Sequence, residues 1–329
     1  MSMPDDAAKP QDDLPLISLC IPVLNEYDNL DRLYERLDAL GVTMRDRCRL
    51  EFVFSDNQSS DRTWEKLQEL AAKDDRIRAI RFSKNVGFQR SILANYLHAR
   101  GDAVMQLDAD LQDPPEMLET FFELWREGYQ VVYGLRRKRK ESPLLNWFRR
   151  FGYWTINAIS EHPIPQNVGD FRLLDRKVVN ALAKFRTHNP YLRGMISGIG
   201  FRQTGVVYDR DARAAGESKF GMTRLIRLGV TAVFNHSTVP LRMATILGIA
   251  MIGVSVLGTI YFIVLRLIES DLPRGVASIH VLVLFGIGLQ SLLLGMIGEY
   301  ILRIYVMLRA EPLAIIDQTI NIGEPDLKL

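Results

Sequence analysis

Two cysteines in 329 residues, Cys20 and Cys48, are too few for a disulfide framework or a thiolate metal site. Met1 to Pro15 has no apolar core of the kind an export signal needs; polar and acidic, it reads as a disordered tail. Neither sign of charge dominates: 41 Lys and Arg against 39 Asp and Glu leave a net charge of +2, which predicts no nucleic-acid partner. The most telling absence is local. Met243 to Leu265 and Val276 to Gly298, 23 residues each, contain no Asp, Glu, Lys or Arg. At about 1.5 Å of rise per residue, a helix of that length crosses the roughly 30 Å hydrocarbon layer of a membrane. Core helices keep a polar stripe and rarely run so far uncharged.

Two transmembrane helices are therefore expected, joined by a short polar link, as an anchor over 238–303. Arg224, Arg227 and Arg242 precede the first and Arg303 and Arg309 follow the second, whereas Arg266 and Arg274 in the link are offset by Glu269 and Asp271. The excess of basic residues beside both chain ends places that side, and the large polar domain over 16–237, in the cytoplasm at the inner membrane. Two amphipathic stretches, 143–159 with Trp147, Phe148, Phe151 and Trp154 beside Arg149 and Arg150, and 222–236, read as helices lying in the headgroup layer. A surface helix packed on the domain is the alternative for the first. The stretch 304–329 reads as a cytoplasmic β-like tail with no partner legible in the sequence.

Before the anchor, apolar runs alternate with helical periodicity. Ile17–Val23, Leu50–Phe54, Ile77–Phe82, Ala103–Leu107 and Val131–Tyr133 read as strands. Leu30, Leu33, Leu37 and Leu40, then Trp64, Leu67 and Leu70, then Ile92, Leu93 and Tyr96 mark the helices between them. Pro114 and Pro115 open a further helix that Gly128 closes. The pattern predicts an α/β domain with a parallel sheet covered on both faces, whose ligands sit beyond the carboxyl ends of the strands.

Chemistry-bearing residues fall at those ends. Leu107-Asp108-Ala109-Asp110-Leu111-Gln112-Asp113-Pro114-Pro115 follows the fourth strand, and an extended chain would aim Asp108 and Asp110 to one side. Paired hard oxygen ligands suit Mg2+ or Mn2+ against a diphosphate. Ile21-Pro22-Val23-Leu24-Asn25-Glu26 and Ser55-Asp56-Asn57-Gln58-Ser59-Ser60-Asp61 end the first two strands. Acidic and amide groups there suit a pyrimidine edge and ribose hydroxyls, which is the reading taken for Asp56; Asp61 reads as a helix cap.

Taken together, Pro-x-x-Asn-Glu, Asp-Asn-x-Ser-x-Asp and Asp-Ala-Asp-Leu-Gln resemble the inverting nucleotide-sugar glycosyltransferases of GT-A (Rossmann-like) fold. Asn167-Val168-Gly169-Asp170-Phe171-Arg172 and Gly216-Glu217-Ser218-Lys219-Phe220, followed by two spans, resemble their polyprenyl-phosphate branch, which holds bactoprenol glucosyl transferases and dolichol-phosphate mannose synthases. The match runs from about Leu16 to Pro312 with every motif in order. One departure is that Asn57 and Gln58 stand where the family often has Asp-Gly, which puts the loop geometry there in question.

The resemblance implies nucleotide contacts at Pro22, Leu24, Glu26, Asp56, Asp108 and Ala109. It implies metal ligation by Asp110 and Gln112 with Asp108 close by, and phosphate contacts at Arg136, Arg149, Arg213 and Lys219. Asp108, Asp110 and Asp170 form the catalytic set. Asp170 either orients the sugar and a cation such as Arg172, serves as a general base, or shapes a turn after Gly169; a lipid phosphate already ionised favours the first. The run Arg136 to Lys140 reads as attraction to anionic headgroups. The implied activity is transfer of a sugar, glucose from UDP-glucose, to undecaprenyl phosphate for cell-envelope glycan modification such as that of lipopolysaccharide, by a homo-tetramer. Aminoarabinose or mannose is the alternative sugar. A processive polysaccharide synthase would carry a Gln/Arg-x-x-Arg-Trp signature, which is missing, and a non-enzymatic scaffold would not need the acidic strand ends.

Overall fold

The computed structural model describes residues 14–137, 168–185, 190–209, 275–308 and 312–323, with single helical positions between 246 and 268. The expected tail through residue 13, the amphipathic stretches 143–159 and 222–236, the motif residues Arg149, Arg213 and Lys219, and nearly all of the first expected span lie outside the described residues. The chain divides into two compact units: Met1–Asn146, His162–Lys219 and Glu311–Leu329 form one, and Trp147–Glu161 with Phe220–Ala310 the other.

In the first unit, β1 (Leu16–Val23), β2 (Arg49–Asp56), β3 (Ile77–Phe82) and β4 (Ala103–Gln106) pair in parallel. Between them run α1 (Tyr27–Met44), α2 (Thr63–Ala71) and α3 (Phe88–His98). After β4 a single 3-10 turn, Pro115–Met117, leads into α4 (Leu118–Arg126), and β5 (Val131–Arg136) follows. These elements lie where the periodicity puts them.

The sheet itself is not parallel throughout, which corrects the expectation. Its order is β7-β5-β6-β4-β1-β2-β3-β8. β6 (Val168–Asp175) inserts between β4 and β5, antiparallel to both, and β7 (Gln203–Tyr208) joins β5 in parallel. Helices α5 (Arg176–Leu182) and α6 (Leu192–Gly198) lie between β6 and β7. β6 escapes an apolar-run reading because two of its buried residues, Asp170 and Arg172, are charged. At the other edge β8 (Ile316–Ile320) runs antiparallel to β3, supplying the partner that the terminal stretch lacked in the sequence.

Alternation divides the core. Ile17, Leu19, Ile21 and Val23 of β1 pack with Leu50, Phe52 and Phe54 of β2 against α1, α2 and α4. Cys20 and Val53 turn to the opposite face, against Ile92 and Tyr96 of α3 and Val178 and Ile196 of α5 and α6. Each fully buried Leu, Ile or Phe contributes about 1.5–3 kcal/mol.

The second unit holds α7 (Val276–Leu308), 33 residues long, which contains the whole second expected span. Many of its described apolar side chains are exposed, Ile279, Leu282 and Leu294 to 63%, 66% and 60%, while Leu289, Leu293 and Met296 are half-buried. Among the described residues no helix is long and apolar enough to cross a membrane; many side chains of α7 are not among them.

Candidate active site

Because β1, β2, β4, β5 and β7 point one way and β6 the other, one edge of the sheet gathers the ends of the first five and the start of the sixth. Every described residue of the candidate set lies on that edge: Pro22, Leu24, Glu26, Asp56, Asp108, Ala109, Asp110, Gln112, Arg136 and Asp170.

The loops after β1 and β2 are zipped together. Asn25 N donates to Ser59 Oγ at 2.9 Å, Glu26 N to Thr63 Oγ1 at 3.0 Å, and Ser60 N to Asn25 Oδ1 at 2.8 Å. Asp61 accepts from Thr63 N at 3.0 Å and from Tyr27 N at 3.3 Å; it stands one residue before the N-cap of α2, Arg62, and so bonds the helix start from outside the cap position expected of it. Asp56 is completely buried. Its Oδ1 accepts from Ser59 N at 3.0 Å and Ser59 Oγ at 2.5 Å. Its Oδ2 accepts no hydrogen bond, although Arg81 Nε stands 3.2 Å away. Burial pushes the Asp56 carboxyl up, while the Ser59 bonds and the Arg81 charge pull it back.

Asn25, Gln58 and Leu111, one in each of the loops after β1, β2 and β4, adopt left-handed backbone with φ of 56°, 58° and 56°. Non-glycine residues avoid that region, and such strain gathers at sites that use it. Gln58 thus takes the conformation a glycine would favour, at the position where the sequence departs from Asp-Gly.

The Asp108–Asp110 pair sits in a turn, not on extended chain, so the strand-alternation argument for its common aim does not apply. Turn bonds set it instead. Gln106 Nε2 donates to Asp108 Oδ1 at 2.8 Å, and Gln112 N donates to Asp110 Oδ1 at 3.1 Å. Burial above all, then the carboxylates of Asp113, Asp110 and Asp170, pushes the Asp108 carboxyl up to about 6 against the Gln106 bond. Four carboxyl groups therefore share one neighbourhood. Among the described residues no group of three or more His, Cys, Asp or Glu side chains could hold a metal ion by itself. Two carboxylates and an amide do suit Mg2+ or Mn2+ whose remaining positions are filled by phosphate and water.

Across the edge, Tyr208 Oη donates to Asp113 Oδ1 at 2.5 Å, Arg136 Nε donates to Tyr208 Oη at 3.3 Å, and Arg136 Nη2 lies 3.5 Å from Asp113 Oδ2. Gly169 makes room for this: a Cβ there would stand 2.8 Å from Arg136 Nη2. Asp170 is buried and gripped by a fork, Arg193 Nε to Oδ1 at 3.1 Å and Arg193 Nη2 to Oδ2 at 2.8 Å, with Gln89 Nε2 at 3.2 Å. Burial opposes its charge, yet Arg193, then Arg172 and Gln89, hold its carboxyl below the usual range. The cation it grips is Arg193, while Arg172 donates to Gly169 O at 2.6 Å. Sequence reasoning missed Gln89, Arg193 and Tyr208, which no local spacing marks; Asp113 was visible inside its motif without a role.

A family model described as "Glycosyl transferase family 2" matches residues 18–183. The glycosyltransferase YkcC of Bacillus subtilis, whose own activity is uncharacterised, is 37% identical over 306 residues, 93% of this chain and 94% of its own. The bactoprenol glucosyl transferase of Shigella phage SfII is 34% identical over 308 residues, 92% of this chain and 98% of its own. The mannosyltransferase PcManGT of Pyrobaculum calidifontis, solved with GDP-Man and Mn2+, is a remote likeness, 19% identical with a TM-score of 0.44 over 65% of this chain and 62% of its own. With its α/β domain, mixed sheet and acidic strand ends, the chain belongs to glycosyl transferase family 2 and is a glycosyltransferase of GT-A-like fold.

Proposed function

We propose that the protein transfers glucose from UDP-glucose to undecaprenyl phosphate at the cytoplasmic face of the inner membrane, inverting the anomeric centre. The observation that carries the transfer chemistry is the crowding of Asp108, Asp110, Asp113 and Asp170, with Asp108 pushed up to about 6, at the strand ends. The acceptor is taken from the relatives named for bactoprenol. It is supported by the exposed apolar side chains of α7 and by the two uncharged stretches, since an isoprenoid acceptor stays in the bilayer.

Asp110, Gln112 and Asp108 would hold Mg2+ or Mn2+, which when bound offsets the charge on the departing nucleoside diphosphate. The zipped β1 and β2 loops fix Glu26 and Asp56 for ribose and base, while Pro22, Leu24 and Ala109 line their approach. Arg136, braced by Asp113 and Tyr208, presents a guanidinium to phosphate oxygens. Arg149, Arg213 and Lys219 are assigned the lipid phosphate. Asp170, held ionised by Arg193, orients the sugar. A lipid phosphate arrives mostly deprotonated at neutral pH, so its oxygen attacks C1 directly, the bond to the diphosphate breaks, and no protein base is required. The rate then rests on positioning and electrostatics.

The test is a donor panel of UDP-glucose, GDP-mannose and a UDP-aminoarabinose with the purified full-length protein, undecaprenyl phosphate and Mg2+ or Mn2+, scored by lipid-linked product and sedimentation of the assembly. One glucose per lipid, lost with chelator, is the expected result. A different sugar moves the donor assignment, a growing polymer replaces this reading with processive synthesis, and undiminished product in chelator removes the metal. A species other than the tetramer corrects the assembly.

A further inference from the structure

Strand β8 follows the apolar segments in the chain, yet it lies within reach of the donor loop. In the β3–β8 pair Gln318 stands directly opposite Arg81. Both side chains meet one indole: Trp64 Nε1 donates to Gln318 Oε1 at 2.6 Å, and the Arg81 guanidinium lies 5.8 Å from the Trp64 ring centroid. Trp64 is itself buried, so its ring is a fixed wall. Beyond it Arg81 turns to the loop after β2, where Nη2 donates to Ser59 O at 3.2 Å and Nε stands 3.2 Å from Asp56 Oδ2.

We infer that Arg81, backed by Trp64 and Gln318, is a positioning residue for the nucleobase, and that β8 is thereby part of the donor site. The inference rests on the donor role proposed for Asp56. With Oδ1 occupied by Ser59, only Oδ2 is left to accept a ring N–H such as the imide of uracil, and it accepts well only while ionised. A fully buried carboxyl is driven toward its neutral form. The charged groups facing it are Arg81, which opposes that drive, and Asp61, which adds to it. Arg81 is also tied to Ser59, the residue occupying Oδ1, so one guanidinium fixes both the charge and the aim of the acceptor. Its side chain is only 20% exposed, which limits solvent screening.

The experiment uses the full-length protein in detergent. UDP binding is measured by calorimetry without lipid from pH 5 to 8, and initial rates are taken at varied UDP-glucose. Arg81→Met is expected to weaken UDP binding at least tenfold and raise the donor KM in step, with kcat at saturating donor within about threefold. The acid limb of UDP binding should move to higher pH in Arg81→Met and back toward its original position in Arg81→Lys. Trp64→Phe, which keeps the ring and loses the bond to Gln318, and Gln318→Ala should weaken UDP two- to fivefold without moving the acceptor KM. Where Arg81→Met does not fold, these two variants decide. Unchanged UDP binding and an unmoved acid limb in Arg81→Met overturn the inference while leaving the donor role of Asp56 standing. So does an equal loss in every variant accompanied by a lowered melting point. A wild-type protein that binds no UDP overturns the donor reading, and this inference with it.

Discussion

Both ends of the sheet bury charge, but they differ in how completely it is matched. At the amino end Glu51 Oε1 accepts from Ser18 Oγ at 2.5 Å and Arg100 N at 2.6 Å, and Oε2 accepts from Arg78 Nη1 at 3.1 Å. Arg78 in turn donates to His98 O at 3.0 Å and Asn321 O at 3.3 Å. At the carboxyl end Asp56 Oδ2, Gln106 Oε1 and Arg172 Nε are buried without a hydrogen bond, and Asp108 is pushed up to about 6. A closed network serves stability, whereas unmatched polar groups and carboxylates crowded at a strand mouth are what a charged ligand would complete.

The largest expected effect tests the open end. Asp110→Asn should cut turnover by about 10²-fold or more, the scale on which single electrostatic groups act, while stability stays within roughly 0.5 kcal/mol. Product formation and thermal unfolding of the same preparation check it; a loss of both together would make Asp110 a structural residue. Asp108→Asn should unfold at a higher temperature than wild type in chelator, since one of four crowded carboxylates is gone. A lower midpoint would mean that the crowding is already offset within the protein.

The closed end should respond in the opposite way. Glu51→Ala leaves Arg78 buried without its counter-charge and should cost about 3–5 kcal/mol, with specific activity of the protein that remains folded unchanged. Replacing both partners by Met should recover much of the loss. If Glu51→Ala lowers activity per folded molecule instead, the two ends are coupled and the comparison fails.

A smaller effect separates strain from function within the open end. Gln58→Gly removes the left-handed penalty of a side-chain-bearing residue and should raise stability by about 0.5–1 kcal/mol, with donor KM unchanged. A raised KM would show that the Gln58 side chain itself takes part in binding.

What the sequence showed and what it hid follow from the range of the forces involved. Strands β1 to β5 and helices α1 to α4 were legible because each buries its own periodic apolar residues, as Leu30, Leu33, Leu37 and Leu40 do in α1. β6 was hidden because it buries the charged Asp170 and Arg172, Asp170 through Arg193 and Gln89, which lie 23 and 81 residues away, and β8 because its partner strand lies more than 230 residues upstream. The motif carboxylates were legible as residue types at strand ends. Their settings were not, since the Arg193 fork on Asp170 and the Tyr208–Asp113 brace on Arg136 join elements that only the folded sheet brings together.

The smallest expected effect probes a loose thread near the closed end, on the helix that also buries both amide atoms of Asn95 without a partner. His98 is buried; its Nδ1 lies 2.7 Å from Ala94 O, and its Nε2 has no hydrogen-bond partner. Burial chiefly, with the neighbouring Arg78 adding to it and the Ala94 bond opposing, holds its pKa below the ordinary histidine value. A histidine depressed in the folded state is neutral in both states at pH 8 and contributes no pH dependence there. As the pH falls through about 6.5, the unfolded chain takes up a proton that the folded chain refuses, so stability declines until the folded-state pKa is reached. One proton bounds the slope at about 1.4 kcal/mol per pH unit. His98→Gln should therefore flatten the stability profile between pH 7.5 and 5.5 while leaving turnover untouched. Asp108, pushed up to about 6, titrates within this window in both proteins alike, so the difference between the two profiles isolates His98. An identical slope in the variant would mean that His98 is protonated as readily in the folded protein as in the unfolded chain, and that the amino end is wetter than its buried bonds imply.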